Sequence, residues 1–147
     1  MPGAERLALA VLDASVAVRS LIPEAGTKRA IEVMQLARFL IAPRLLATEC
    51  AAAIRRKFVG GEVTLELAER AITLLTSSFS DNIIRLADDE TFVASAFAIA
   101  IATSHKLPDC MYLALAERES APLATADEGL ARVAQRRGIA VLFVANG

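Results

Sequence analysis

Short apolar runs alternate with helical patterns along this chain, and the alternation limits the possible folds more than any other feature. Residues 7–12 lack the polar breaks of a surface helix, which is typical of a strand buried on both faces. Similar runs occur at 39–42, 82–86, 122–125 and 139–144. Strands that alternate with helices predict an α/β fold with a mostly parallel central sheet of about five strands.

The helices between these runs are predicted from apolar spacing and from turn residues. They cover residues 15–22, 24–38, 43–58, 64–77, 89–103, 109–119 and 127–137. Thr64 is expected to cap the fourth helix and Asp88 the fifth. Since the sequence has no internal repeat or linker, residues 1–147 are expected to form a single domain.

The balance of charged and apolar residues excludes several classes of protein. With 17 acidic and 16 basic residues and 55% hydrophobic residues, the chain is neither disordered nor a broad electrostatic nucleic-acid binder. The longest apolar segment, 92–102, is shorter than the ~20 residues of a membrane span. Charges within residues 1–18 exclude a signal peptide, so we expect a cytoplasmic protein that does not bind membranes. Cys50 and Cys110 have no zinc-binding pattern and are expected in the core.

Four carboxylates lie in unusually apolar surroundings: Asp13, Glu49, Asp109 and Asp127. A charge held among apolar neighbours is costly unless something compensates it. The three aspartates also stand at predicted helix starts, where capping of free backbone N–H groups is an alternative explanation. Glu49 is predicted in mid-helix, on a stripe with apolar neighbours, so it should face the core or a cleft.

Parallel topology indicates that these carboxylates can meet. Asp13 follows the first predicted strand and Asp127 the fourth, and the carboxyl ends of parallel strands share one edge of the sheet. If Glu49 and Asp109 point to the same edge, their mutual repulsion requires divalent cations. Oxygen ligands without thiolate or imidazole clusters favour Mg²⁺ or Mn²⁺. His105, the only histidine, is expected to be a loop residue rather than a ligand or a base.

Four motifs occur in order along nearly the whole chain: VLDASV at 11–16, APRLLATE at 42–49, LPDCMYLALA at 107–116 and PLATAD at 122–127. With these motifs the sequence resembles the PIN-domain family and, within it, the VapC-type toxins of bacterial toxin–antitoxin pairs. The resemblance implies a three-layer α/β/α sandwich.

The same resemblance assigns roles to individual residues. It implies that Asp13, Glu49, Asp109 and Asp127 are the catalytic and metal-binding residues, and that Ser15 and Thr125 occupy nearby hydroxyl positions. We predict that both hydroxyls orient carboxylates or bound waters, with local caps and turns as the alternative. The chain departs from the family at two places. Ala52 and Ala53 stand where the family often has an Asn or a small polar residue shortly after the helix acid, and Cys110 stands where it often has Ala or Ser after the third acid.

The function that the resemblance implies is a Mg²⁺- or Mn²⁺-dependent endoribonuclease, the toxin of a type II toxin–antitoxin pair. It also implies a homodimer and a cognate antitoxin that wraps a hydrophobic groove and blocks the active site. Bound ions would activate a water and stabilise the leaving oxygen of an RNA phosphodiester.

Basic residues near the predicted site suggest how RNA would be held. Arg55, Arg56 and Lys57 follow Glu49 by one to two turns and are predicted to contact phosphates, or else to place favourable charge at a helix carboxyl end.

Two other functions stay open from the sequence. One is an inactive PIN-like module that binds proteins. The other is a phosphatase with Asp13 as nucleophile, although Ser15 stands where such sites have a second Asp.

Overall fold

The chain folds around a parallel β-sheet flanked by helices. The computed structural model describes residues 6–145. In chain order the elements are β1 (Leu7–Leu12), α1 (Ala14–Leu21), α2 (Thr27–Met34), β2 (Ala37–Pro43), α3 (Leu45–Val59), α4 (Leu65–Ser80), β3 (Ile84–Ala87), a 3₁₀ turn (Asp89–Thr91), α5 (Val93–Thr103), α6 (Leu107–Glu119), β4 (Leu123–Thr125), α7 (Glu128–Arg136) and β5 (Val141–Phe143). Residues 1–5 and 146–147 of the predicted domain, including part of the segment 1–18 that argued against a signal peptide, lie outside the described residues.

The sheet has the strand order β3-β2-β1-β4-β5, and every pair within the described range is parallel. Strands β2 and β3 follow β1 toward one edge of the sheet, and β5 follows β4 toward the other edge. The order therefore reverses between β1 and β4, which pair through Val11 with Leu123 and Leu12 with Ala124. In open parallel sheets, ligands bind outside the carboxyl ends of the strands at such a reversal.

Helices cover both faces of this sheet. Since crossovers between parallel strands are right-handed almost without exception, the strand order predicts α1 to α4 on one face and α5 to α7 on the other. The contacts agree with this division, because α1 contacts α2 and α3, α3 contacts α4, and α5 contacts α6. The predicted α/β fold and three-layer α/β/α sandwich are thus confirmed.

The centre of the molecule is formed by β1, β4 and α6. Leu12, Leu113 and Leu123 are fully buried, and every residue of α6 from Asp109 to Ala116 is buried. Cys50 and Cys110 are free and buried, as predicted. Because α6 runs through the core, any polar group on its middle turns must find a partner inside the protein.

The predicted helix 24–38 is shorter in the structure. It begins only at Thr27, after Gly26 in the left-handed conformation with φ 91°, and it ends at Met34. Ala37 pairs with Leu7 in the sheet, so β2 begins at Ala37 and takes residues that the spacing assigned to the helix.

The helix predicted to start at Asp109 begins at Leu107 instead. Pro108 lies in its first turn, where the fixed φ of proline favours the helix and its missing N–H does no harm. Asp109 is therefore inside the first turn of α6 rather than at its cap.

The predicted cap at Asp88 was also wrong. Its side chain makes no capping hydrogen bond, and the chain forms a 3₁₀ turn before α5. The Asp89 carboxylate instead accepts hydrogen bonds from two backbone N–H groups at the start of α3, those of Arg44 (2.6 Å) and Leu45 (3.1 Å), and Arg44 N–H is shared with the carbonyl of Ala87. The predicted cap at Thr64 is confirmed by a 3.1 Å hydrogen bond from Leu67 N–H.

Among residues 6–145, none of the helices combines the length and apolar character needed to cross a bilayer.

Candidate active site

A cleft of about 340 Å³ opens at the carboxyl ends of β1 and β4. All four carboxylates singled out in the sequence line it, together with a fifth from Glu24 and three basic side chains. The charged lining residues are Asp13, Glu24, Glu49, Asp109, Asp127, Arg19, Arg56 and Lys57. With more acidic than basic side chains around it, the cleft attracts cations.

Asp13 lies at the bottom of this cleft, directly after β1, with only 6% of its surface exposed. Its Oδ2 accepts hydrogen bonds from the hydroxyls of Ser15 (2.6 Å) and Thr125 (2.7 Å). Although Asp13 occupies the cap position of α1, its side chain makes no capping hydrogen bond. Burial raises the pKa of Asp13, the two hydroxyls lower this pKa, and the charges of Asp109 and Asp127 raise it again.

The two hydroxyls also fix the turn between β4 and α7. Ser15 Oγ accepts from Ala126 N–H at 2.9 Å, and Thr125 Oγ1 accepts from Asp127 N–H at 3.0 Å. Each hydroxyl has one hydrogen to donate, and accepting from the backbone leaves that hydrogen for Asp13. The positions of Asp13 and Asp127 are thus linked through Thr125.

Glu49 reaches the cleft from α3. It is partly exposed, and its Oε1 accepts a 2.6 Å hydrogen bond from the Tyr112 hydroxyl on α6. Partial burial raises the pKa of Glu49, the Tyr112 hydrogen bond lowers it, the charges of Asp13 and Asp109 raise it and that of Lys106 lowers it. The pKa of the buried Tyr112 is raised far above its ordinary value, chiefly by burial, so Tyr112 is the donor.

Asp109 and Asp127 complete the set from the starts of two helices. Asp109 Oδ2 lies 2.8 Å from His105 Nε2 and 3.9 Å from Lys106 Nζ. Asp127 is exposed, and its Oδ1 accepts from Leu130 N–H at 3.0 Å. Of the three aspartates, Asp127 therefore caps its helix, whereas the hydrogen-bond partners of Asp13 and Asp109 are side chains.

The four carboxylates share one pattern of hydrogen bonding. In each, one oxygen accepts from a protein donor, and the other makes no hydrogen bond within residues 6–145. Within that same range, no three His, Cys, Asp or Glu side chains are close enough together to enclose a metal ion. The side chains thus line a common cleft with one oxygen each available to a ligand, but they do not converge on a point.

The structure separates the three basic residues that were predicted to contact RNA. Arg56 and Lys57 line the cleft, and Lys57 Nζ lies 2.8 Å from the Glu24 carboxylate. Arg55 instead lines an apolar groove of about 410 Å³ between α3 and α4.

Four polar residues at the cleft had no site role from the sequence: Arg19 and Glu24, which line it, and His105 and Tyr112, which contact its carboxylates. Tyr112 stands three positions after Asp109, a spacing that places both side chains on one side of α6, whereas His105 lies in the loop before this helix. That signal was available, but Tyr112 lies in an apolar run typical of core, and His105 was expected only to be in a loop, which is where it lies. Glu24 sits among other charges after Pro23, with no pattern that distinguishes it.

Known proteins resemble this chain in sequence pattern and in fold. The family model described as the PIN domain matches residues 10–136. Comparison with curated proteins found no match.

Several solved structures share the fold. The crystal structure of PAE2754 from Pyrobaculum aerophilum has a TM-score of 0.70 at 19% identity, over 93% of this chain and 84% of that one. The structure of VapBC2 from Rickettsia felis, which is bound to a DNA fragment from the VapBC2 promoter, has a TM-score of 0.59 at 9% identity. The match covers 92% of this chain and 98% of that one. The structure of FitAcB from Neisseria gonorrhoeae has a TM-score of 0.58 at 16% identity, and the match covers 90% of this chain and 96% of that one.

Proposed function

The chain belongs to the PIN domain family, and we propose that it is a cytoplasmic, Mg²⁺- or Mn²⁺-dependent endoribonuclease, the toxin of a type II toxin–antitoxin pair. One nuclease domain comprises residues 1–147. The observation that carries the proposal is that Asp13, Glu49, Asp109 and Asp127 all line one cleft at the strand-order reversal of the sheet.

The donor set of the cleft fits a hard divalent cation. Each of the four carboxylates has one oxygen without a hydrogen bond to the described residues, whereas both cysteines are buried in the core. Asp13, Glu49, Asp109 and Asp127 would hold the ion, directly or through water. When bound, such an ion lowers the pKa of a coordinated water and neutralises charge on phosphate oxygens.

The residues around the carboxylates have positioning roles in this proposal. Ser15 and Thr125 hold Asp13, because both donate to the same carboxylate oxygen and both are fixed by backbone N–H groups. The predicted RNA contacts are Arg55, Arg56 and Lys57. Of these, Arg56 and Lys57 lie beside the carboxylates, where they can bind phosphates that flank the cleaved bond.

The proposed partners are an antitoxin and a second copy of the chain. The similarity in fold to VapBC2 and FitAcB favours the toxin–antitoxin assignment, since the sequence motifs also resemble VapC-type toxins. The apolar groove between α3 and α4, lined by Ile54, Phe58, Leu65 and Ile72, suits an apolar antitoxin segment. The groove shares α3 with the cleft, so a segment bound there can extend to Glu49.

The test compares aspartate-to-asparagine substitutions inside and outside the cleft. Asp13→Asn and Asp127→Asn should each reduce Mg²⁺-dependent cleavage of a mixed RNA substrate by at least ~100-fold, because each removes a ligand charge. Growth inhibition on expression in bacteria should be lost with them. Asp88→Asn is the matched control, since Asp88 is exposed and its partner is Arg44, outside the cleft lining.

The outcomes separate three functions. Cleavage that either cleft variant leaves unchanged contradicts the proposed site. A wild-type protein that neither binds Mn²⁺ nor cleaves RNA is an inactive protein-binding module instead. Phosphatase activity that depends on Asp13 without RNA cleavage would support the Asp-nucleophile alternative.

A further inference from the structure

Tyr112 connects the most buried helix of the fold to the cleft. It is the only tyrosine of the chain and is 0% exposed. Its hydroxyl donates a 2.6 Å hydrogen bond to Oε1 of Glu49, which is 63 residues away in sequence and lies on α3. No other residue within 6–145 donates a hydrogen bond to the Glu49 side chain.

We infer that Tyr112 is a positioning residue, which holds Oε1 of Glu49 so that Oε2 is presented to the divalent cation of the proposed site. The inference rests on the proposed function. Tyr112 lies in the motif LPDCMYLALA at 107–116, but the resemblance gave it no role.

Glu49 needs such a partner more than the three aspartates do. Asp13 and Asp109 are short, buried side chains, and Asp127 is held by the backbone of its own helix. Glu49 has a longer and partly exposed side chain in the middle of α3, so it has more rotamers to lose before it can act as a fixed ligand. A hydrogen bond from a buried phenol removes most of that freedom.

The position of Tyr112 on α6 gives the contact a second consequence. Tyr112 and Asp109 are three residues apart on this helix, so the same rigid element carries one proposed ligand and the group that holds another. The distance between Asp109 and Glu49 is therefore set by the packing of α6 against the rest of the core. A purely structural hydroxyl could equally have bonded to a backbone carbonyl, but this one ends on a cleft carboxylate.

The test measures Mn²⁺ binding to the full chain by titration calorimetry, without RNA. Tyr112→Phe removes only the hydroxyl and should weaken Mn²⁺ binding about 10–100-fold, the usual effect of losing a hydrogen-bond partner of a ligand. Glu49→Gln should weaken binding as well. In the double variant, Tyr112→Phe should add no further loss, because its effect passes through Glu49.

Ser78→Ala is the matched control for the loss of a partly buried hydroxyl. Ser78 Oγ donates to a carbonyl of its own helix α4, away from the cleft. This variant should bind Mn²⁺ like the wild type. The inference is overturned, with the proposed function left intact, if Tyr112→Phe binds Mn²⁺ with wild-type affinity. It is also overturned if Tyr112→Phe weakens Mn²⁺ binding in the Glu49→Gln background as much as it does in the wild type. Absence of Mn²⁺ binding by the wild type overturns the proposed function itself.

A second measurement uses the tyrosine itself and therefore does not depend on whether the Tyr112→Phe variant folds. The chain has one tyrosine and no tryptophan, so Tb³⁺ luminescence excited through tyrosine reports an ion close to Tyr112. The wild type should show this luminescence, Mn²⁺ should compete it away, and Glu49→Gln should reduce it. Bound Tb³⁺ that is not sensitised by tyrosine overturns the inference.

Discussion

The Thr125 hydroxyl donates a 2.7 Å hydrogen bond to the Asp13 carboxylate, although 112 residues separate the two in sequence. Parallel pairing of β1 with β4 places the ends of these strands side by side, so that Asp13 N–H also bonds to the carbonyl of Ala124. Thr125 is 0% exposed and its oxygen in turn accepts from Asp127 N–H. One buried hydroxyl therefore joins two proposed ligands and the central strand pair, and fold and site depend on the same contact.

Replacing Thr125 with valine should affect stability and activity together. Thr125→Val keeps the shape but removes the donor to Asp13 and the acceptor for Asp127 N–H. We expect a loss of about 1–3 kcal/mol in the free energy of unfolding, measured by urea denaturation. Metal-dependent RNA cleavage should fall about 10–100-fold at temperatures where the variant is folded.

Thr76→Val is the control for this substitution. The Thr76 hydroxyl lies on the exposed side of α4 and donates to carbonyls of its own helix. Its loss should leave cleavage unchanged. If Thr125→Val cleaves RNA at the wild-type rate, Thr125 is a local turn residue and has no part in holding Asp13.

Asp13 should make the metal-free protein less stable at neutral pH than at acidic pH. Burial raises its pKa above the ordinary 3.8, so the folded state keeps a proton that the unfolded state releases. The stabilisation from this group is complete below its unfolded pKa and is lost as pH rises through the folded pKa. Glu49, whose pKa is also raised by burial, changes stability in the same direction.

The measurement is Tm against pH in EDTA for the wild type and Asp13→Asn. Asparagine can accept from Ser15 and Thr125 without carrying a charge, so the variant should be a few degrees more stable than the wild type near pH 7. This gain should shrink toward acidic pH, where Asp13 is protonated. A variant that is less stable than the wild type at pH 7 would show that the ionised carboxylate is well compensated without metal.

The sequence was sufficient to predict that Asp13 and Asp127 lie at the same edge of the sheet, where both line one cleft, because parallel topology alone brings the ends of neighbouring strands together. It was sufficient for the fold class as well, since buried strands and amphipathic helices have different periods. The contact between Tyr112 and Glu49 could not be predicted this way. It depends on how α6 packs across the sheet edge toward α3, which local spacing does not determine.

Helix boundaries were the other part that the sequence left undetermined. Asp88 was predicted to cap the helix that follows it, yet it makes no capping hydrogen bond, and its neighbour Asp89 accepts from backbone N–H groups of a different helix start, 44 and 45 positions away at α3. In the same way, Ala37 joins the sheet because Leu7 is there to pair with it. In both places a partner distant in sequence decided the local structure.

RNA affinity should distinguish Arg56 from its neighbour Arg55. Arg56 lines the cleft, whereas Arg55 lines the α3–α4 groove. In the Asp13→Asn background, which prevents cleavage, Arg56→Ala should weaken RNA binding and reduce the slope of log affinity against log salt by about 1. Arg55→Ala should have little effect on either quantity. Fluorescence anisotropy at several salt concentrations measures both, and equal losses for the two variants would place RNA along the outside of α3 instead.

The exposed stripe of α5 should form the interface of the proposed homodimer. Val93, Phe97 and Ile101 repeat every four residues on this helix and are 43%, 60% and 69% exposed, and α5 contains no charged residue. An uncharged apolar stripe can pack against the same stripe of a second copy across a two-fold axis, which would remove these side chains of both copies from water. Phe97→Glu or Ile101→Glu should therefore shift the protein from dimer to monomer in light scattering after gel filtration, because each places unpaired charges together at the axis.

Leu74→Glu, at a 47% exposed position on α4, is the control and should remain dimeric. A wild-type monomer, or dimers that persist in both α5 variants, would exclude this interface.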